Sequence, residues 1–214
     1  MKISEIFYSI EGEGLEIGKT EIFVRLAGCN LRCIWCDTKY ALKNGKEMSV
    51  NEVIRRVSKY SCKNISVTGG EPLLQKEELL ELMTKLKKSK YWIQINTNGT
   101  LFNEDIFNLS DLITMDCKCP SSGEKSDIKI LEKTVKLYNN KSQLKFVIAD
   151  ETDFHYTNKI LRSHLEEATN IIFQPEWNRK NFTKKLVEYV KLKNPNARVI
   201  LQQQKFIYGS KKGV

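Results

Sequence analysis

Apolar, β-branched runs and helix-period segments take turns along this chain. Runs at 20–26, 65–68, 92–96, 112–115, 144–149, 171–174 and 198–201 read as strands, with a further one at 3–9. Between them, 49–60 places Val50, Val53, Ile54 and Val57 at helical spacing, and 76–88, 128–138, 153–167 and 181–192 behave likewise. This alternation predicts repeated βα units around a parallel sheet. A closed (βα)8 barrel takes about 250 residues. A chain of 214 therefore predicts an α/β fold of the shortened, open (βα)6 partial TIM-barrel kind, as one domain over 1–214. No internal repeat or linker breaks the series, and Ser121-Ser122-Gly123-Glu124-Lys125-Ser126 reads as a flexible loop.

Barrel chemistry gathers at the C-terminal ends of strands, and four motifs stand there. A cysteine loop follows Leu26, Gly69-Gly70-Glu71-Pro72 follows Thr68, Asn96-Thr97-Asn98-Gly99 follows Ile95, and Asp116-Cys117-Lys118-Cys119-Pro120 follows Met115. The fold therefore predicts that they share one mouth.

Composition changes this picture little. At 41% hydrophobic residues the chain has enough apolar material for one buried core. The net charge of +9 is compatible with anionic substrates or an RNA surface, but Lys85, Lys87, Lys88, Lys184, Lys185, Lys191 and Lys193 fall where helices present solvated outer faces. No apolar run approaches membrane-spanning length and no secretory segment is visible, so the protein is expected in the cytoplasm. In that compartment irregularly spaced cysteines read as ligands or buried thiols, which applies to Cys62, Cys117 and Cys119.

The most specific chemistry lies in A-G-C-N-L-R-C-I-W-C-D-T, where Cys29, Cys33 and Cys36 form a C-x₃-C-x₂-C run. Three thiolates on one loop suit three irons of a [4Fe-4S] cluster and leave the fourth iron open, whereas electron-transfer clusters of that size take four cysteines. A structural zinc would want a second C-x₂-C or H-x₃-H pair, which the chain lacks. An open iron can bind the amino and carboxylate groups of S-adenosylmethionine and pass an electron to its sulfonium, releasing a 5′-deoxyadenosyl radical. The run thereby resembles the radical S-adenosylmethionine superfamily. Within it, I-E-G-E-G, F-V-R-L-A-G-C, C-D-T, T-G-G-E-P, D-C-K-C-P-S-S and L-Q-Q-Q-K-F, from about Glu5 to Lys205, resemble the 7-carboxy-7-deazaguanine synthase family of queuosine and archaeosine biosynthesis.

That resemblance implies a carbon–nitrogen lyase. It would contract the ring of 6-carboxy-5,6,7,8-tetrahydropterin to 7-carboxy-7-deazaguanine with loss of ammonia, using the cluster, S-adenosylmethionine and Mg²⁺. Cys29, Cys33 and Cys36 would hold iron. Trp35, Cys36, Asp37, Gly70, Cys117, Lys118, Cys119 and Gln174 would contact S-adenosylmethionine. Ile10, Glu11, Gly12, Arg25 and Thr68 would contact the pterin, and Thr38 would coordinate Mg²⁺. Arg25 has the forked guanidinium that suits a carboxylate, although a strand-end arginine equally pairs with a neighbouring glutamate. The implied partners are a flavodoxin- or ferredoxin-type electron donor and a second copy in a homodimer, with no direct nucleic-acid contact and no membrane. His155 and His164 match no motif, which removes the commonest general base.

The chain departs from the family at Glu11, where glutamine is usual, and at Gln204, where the closing motif has histidine. Two other readings share parts of the pattern. An activating enzyme that makes a glycyl radical on a partner protein shares the cluster and T-G-G-E-P, but I-E-G-E-G argues for the small pterin. An RNA-binding module with a zinc-bound Cys₃ site predicts no iron and salt-sensitive RNA affinity.

Overall fold

The computed structural model describes residues 1–209 and 211–214. A nine-stranded sheet carries the chain in the spatial order β3-β1-β2-β4-β5-β6-β7-β8-β9. Its strands are β1 (Lys2–Ile10), β2 (Thr20–Leu26), β3 (Lys46–Glu47), β4 (Asn64–Gly69), β5 (Trp92–Thr97), β6 (Leu112–Cys117), β7 (Ser142–Ile148), β8 (Ile171–Pro175) and β9 (Arg198–Val199). From β2 to β9 every neighbouring pair is parallel; β1 joins β2 and β3 antiparallel. Helices α1 (Val50–Val57), α2 (Lys76–Lys88), α3 (Glu104–Leu109), α4 (Ile128–Tyr138), α5 (Glu151–His164) and α6 (Thr183–Lys193) make the crossovers, and α7 (Gln203–Tyr208) follows the last strand.

Strand register sorts the side chains into two contrasting faces. Ile22, Ile65 and Ile93 are in register, as are Ile95 with Ile113, Met115 with Leu144, and Phe146 with Phe173. These side chains join Val53, Leu79, Leu82, Met83, Ile106, Phe107, Leu131, Phe154 and Leu186 of the helices in one buried core. Alternate positions face the other way, and there β4 to β7 carry Ser66, Thr68, Gln94, Asn96, Thr114, Asp116, Gln143 and Lys145. Parallel sheets usually bury both faces under helices; here one face is polar and lines a cleft.

The expected strand 20–26 and helices 76–88 and 128–138 stand as read. Other elements differ, among them the unexpected two-residue β3. The strand expected at 198–201 is only Arg198–Val199, the helix expected at 153–167 is Glu151–His164 with Asp150 as its N-cap, and α3 and α7, six residues each, are additional. The stretch 121–126 is not a loose loop: Ser122 is buried with its hydroxyl donating to the Cys119 carbonyl at 2.6 Å, and the Ser126 hydroxyl accepts from the Lys118 backbone at 2.8 Å. Lys87 and Lys191 of the outer helix faces pair with Asp111 and Glu188. Among the described residues, no helix is long and apolar enough to cross a membrane.

Candidate active site

The E-G-E-G segment leaves β1 and folds across the polar face instead of turning away from it. Glu11 closes the hairpin, its backbone N–H donating to the Lys19 carbonyl at 2.7 Å. Its carboxylate is buried and accepts from Gln94 Nε2 at 2.7 Å and from the Glu13 backbone at 3.1 Å. The Leu15 backbone donates to Gln143 Oε1 at 2.9 Å. On the far side α7 closes down: the Gln203 backbone donates to the Gly12 carbonyl at 2.9 Å, while Gln202 and Gln204 Nε2 donate to Glu13 Oε1 at 2.8 and 2.9 Å. A Cβ on Gly12 would stand 1.9 Å from Gln204 Oε1, so a larger residue there would displace the Gln204 side chain from its place beside Glu13.

Between this segment and the cysteine loop lies a cleft of about 690 Å³. Its lining brings together Ile10, Glu11, Gly12, Arg25, Cys29, Cys33, Trp35, Cys36, Asp37, Thr38, Thr68, Gly70, Lys118 and Gln174, nearly the full set expected from sequence. Cys117 and Cys119 are the exceptions. Their side chains belong to the apolar core, because alternation along β6 turns Cys117 to the helix side and Cys119 packs against Thr157 at 3.4 Å. They are buried thiols, with burial pushing Cys117 up to about 12. Lys118 between them is no surface lysine: it is 6% exposed and ion-pairs with Asp116 at 2.7 Å.

Three neighbouring loops hold the cysteine loop in place. The Gly70 and Glu71 backbones donate to the carbonyls of Leu26 and Gly28 at 3.1 and 2.8 Å, and the Ile34 backbone to that of Ser122 at 2.9 Å. A Cβ on Gly70 would lie 2.0 Å from the Gly28 oxygen, so this glycine lets the T-G-G-E-P turn seat against the cysteines. Glu71 ties the turn to the end of β5, accepting from Thr97 Oγ1 at 2.9 Å and from the Asn98 backbone at 2.7 Å. Cys29, Cys33 and Cys36 all line the cleft, and the Leu31 N–H and Asn98 Nδ2 approach Cys29 Sγ at 3.4 and 3.8 Å. Donors directed at sulfur suit a thiolate ligand. Among the described residues, no three His, Cys, Asp or Glu side chains gather as the ligands of a single ion. Three thiols on one loop of the cleft are a donor set that fits three irons of a cluster. Thr38 sits beside it with its hydroxyl 3.6 Å from Cys36 Sγ. Gln174 Oε1 is buried at the cleft without a hydrogen-bond partner among the described residues, an acceptor suited to a ligand N–H or O–H.

The floor of the cleft is ionic, and sequence reading missed it. Lys145 bridges Glu13 at 2.6 Å and Asp116 at 3.2 Å, and Asp116 also holds Lys118. Burial alone would raise both carboxyls, but Lys145 with the Gln202 and Gln204 amides outweighs it at Glu13, and Lys118 with Lys145 outweighs it at Asp116; each titrates at about 2. Burial would likewise lower Lys145, and the two carboxylates reverse it upward. This end of the cleft therefore stays fully ionised at neutral pH. Glu11 differs: burial, reinforced by Glu13, pushes it up to about 7. A protonated Glu11 presents the hydrogen-bonding capacity of the family's glutamine more closely than a charged one does.

Deeper still, Glu21 lies opposite Ser9 in the β1–β2 register, and neither carboxylate oxygen nor the Ser9 hydroxyl has a partner among the described residues. Burial, and then Glu11, push Glu21 up to about 8. A carboxyl whose folded pKa is raised above its unfolded value gives stability that is complete below the unfolded pKa and lost as pH rises through the folded one. Here that window runs from about 4.5 to about 8. Glu21→Gln, which cannot ionise, is expected to match wild type in urea unfolding at pH 5 and to exceed it at pH 9 by on the order of 3 kcal/mol. A constant difference across that range would show that Glu21 does not titrate there.

A cleft at the C-terminal ends of parallel strands, walled by a C-x₃-C-x₂-C loop and a Gly-Gly-Glu-Pro turn, defines a radical S-adenosylmethionine fold, and the Radical SAM superfamily matches residues 23–115. Over the whole chain the likeness is narrower. The 7-carboxy-7-deazaguanine synthase of Methanospirillum hungatei is 41% identical over 208 residues, covering 97% of this chain and 85% of that protein. That of Thermoplasma acidophilum is 34% identical, with 100% of both chains covered. In fold, the crystal structure of QueE from Escherichia coli superposes with a TM-score of 0.76 at 23% identity, over 94% of this chain and 93% of that one. The chain belongs to the 7-carboxy-7-deazaguanine synthase family, lyases of the radical S-adenosylmethionine superfamily.

Proposed function

We propose that the chain carries out the reaction for which its family is named, contracting the ring of 6-carboxy-5,6,7,8-tetrahydropterin to 7-carboxy-7-deazaguanine with loss of ammonia. The observation that carries this reading is one cleft in which the three-cysteine wall faces both Arg25 and the E-G-E-G segment. When bound, the [4Fe-4S] cluster and S-adenosylmethionine supply a 5′-deoxyadenosyl radical. The protein's part is to hold and orient. Cys29, Cys33 and Cys36 hold iron; Trp35, Asp37, Gly70, Lys118 and Gln174 form the cofactor side, with Cys117 and Cys119 reduced to backbone contacts. On the other side Ile10, Glu11, Gly12 and Thr68 receive the pterin, and Arg25 takes its carboxylate, fixing the carbon that bears it near the cofactor.

Thr38 would give Mg²⁺ its one protein oxygen, completed by waters and the substrate carboxylate. Its position beside Cys36 supports this. Thr38→Ala is expected to leave the iron content unchanged, lower turnover and shift the Mg²⁺ titration to higher concentration. Superimposable titrations would reduce Thr38 to a loop hydroxyl. The sheet's linear order, with β3 and β9 at its outer edges, supports a shortened, open barrel of six βα units working as one domain over 1–214. The same reading calls for an external one-electron donor of the flavodoxin or ferredoxin type, and for a cytoplasmic homodimer serving queuosine or archaeosine synthesis.

The test is product identification. Reduced, cluster-replete protein supplied with S-adenosylmethionine, Mg²⁺ and the carboxylated tetrahydropterin is expected to release 7-carboxy-7-deazaguanine and ammonia. Cleavage of S-adenosylmethionine with neither product would overturn the reading.

A further inference from the structure

We propose that Glu5 is a positioning residue for substrate, holding the Arg25 guanidinium so that its two terminal nitrogens face the cleft. This rests on the reading of Arg25 as the anchor of the pterin carboxylate. The argument begins in the strand register. Ile3 lies opposite Leu26, but Glu5, not Ser4, lies opposite Arg25, because an irregularity between Ile3 and Glu5 inserts one residue into β1. A bulge of this kind re-aims the side chains that follow it. Without it Ser4 would stand against Arg25; with it, a carboxylate does, on the cleft side of the strand.

That carboxylate makes two bonds through one oxygen. Glu5 Oε1 accepts from Arg25 Nε at 2.7 Å and from the Tyr40 hydroxyl at 2.6 Å. Phe7, stacked on Phe23 with ring centroids 4.9 Å apart, lies beside the guanidinium at 5.8 Å. Guanidinium is a rigid plane with five N–H donors. Fixing Nε–H at one edge and an aromatic surface alongside leaves the four terminal N–H groups, which make no hydrogen bond to any described residue, as a preset fork for a carboxylate. Tyr40 lies in the short turn that follows Thr38, so Glu5 also ties the anchor strand to the segment that would hold the metal. Glu5 thus orders the anchor without touching the substrate, reducing the freedom Arg25 must lose on binding.

The test is calorimetric titration of cluster-replete, unreduced protein with two stable probes, 6-carboxypterin and pterin lacking the carboxylate. In wild type the carboxylated probe is expected to bind more tightly. Glu5→Ala is expected to weaken 6-carboxypterin about tenfold and leave pterin unchanged, because only the carboxylate uses the fork. Glu5→Gln, which keeps an acceptor oxygen for Nε–H and the Tyr40 hydroxyl, is expected to restore most of that loss. Under turnover the Glu5→Ala defect belongs in KM, with kcat nearly unchanged. Unchanged or tighter binding of 6-carboxypterin to Glu5→Ala would overturn the proposal, as would equal losses for both probes, the mark of a merely structural role. If wild type fails to distinguish the two probes, Arg25 is not the carboxylate anchor and the functional reading falls first.

Discussion

Cys33→Ala protein, reconstituted anaerobically, is expected to hold almost no iron where wild type is expected to hold about four per chain, and to lose with it all cleavage of S-adenosylmethionine. Three ligands are the minimum for a cluster with one open iron, and no other described cysteine lines the cleft to take the place of the lost one. The fold should survive, because Cys33 is only half-buried and lies outside the apolar core. Cys62→Ala is the control: its thiol donates to the Thr20 carbonyl at 3.3 Å, away from the cleft, and this variant should keep both iron and activity. Full activity in Cys33→Ala would remove that residue from the ligand set.

Lys145→Met is expected to be the most destabilising single change at the cleft floor. It strips Glu13 and Asp116 of their shared cation while leaving both buried, and breaking a buried pair in this way costs about 3–5 kcal/mol. In wild type both carboxyls titrate near about 2, below their unfolded values, so the stability they give is present above the unfolded pKa and lost only as pH falls through about 2. Without Lys145 their pKa values rise, and the variant weakens as pH increases. Urea unfolding should show a gap between variant and wild type that opens as pH rises above about 2 and is larger at pH 8 than at pH 4. Equal stabilities at pH 8 would show that the carboxylates find other partners.

The contrast between these two sites explains what the sequence makes legible. The cysteines are readable because all three are spaced within one loop, and most of the predicted cleft residues follow strands in βα units whose chemistry must share one end. Glu13 and Lys145 lie 132 positions apart, joined only because a hairpin segment crosses the sheet while register sets Asp116 beside Lys145. No local pattern encodes that meeting. A usable signal did exist in Ile-Ser-Val-Thr, Ile-Gln-Ile-Asn, Ile-Thr-Met-Asp and Leu-Lys-Phe within β4 to β7, since a polar residue at every second place in a parallel strand means one face without helices. The six-residue α3 and α7 are too short for apolar periodicity to register, although Asn103, whose side chain caps Ile106 N–H at 3.0 Å, marked the start of the first.

The tethering of the cysteine loop bears on how the enzyme would outlast damage. Where a metal supplies the folding energy, losing it unfolds the domain. Here the loop takes its shape from hydrogen bonds to three neighbouring segments, among them Asn30 Oδ1 accepting from Asn98 at 2.9 Å and the Arg32 backbone donating to Glu124 at 2.6 Å, while the core lies on the opposite face of the sheet. A cluster destroyed by oxygen would leave these hydrogen bonds in place, since none of them is made through the metal. Recovery would then proceed at the pace of iron and sulfide delivery, without a cycle of unfolding and refolding.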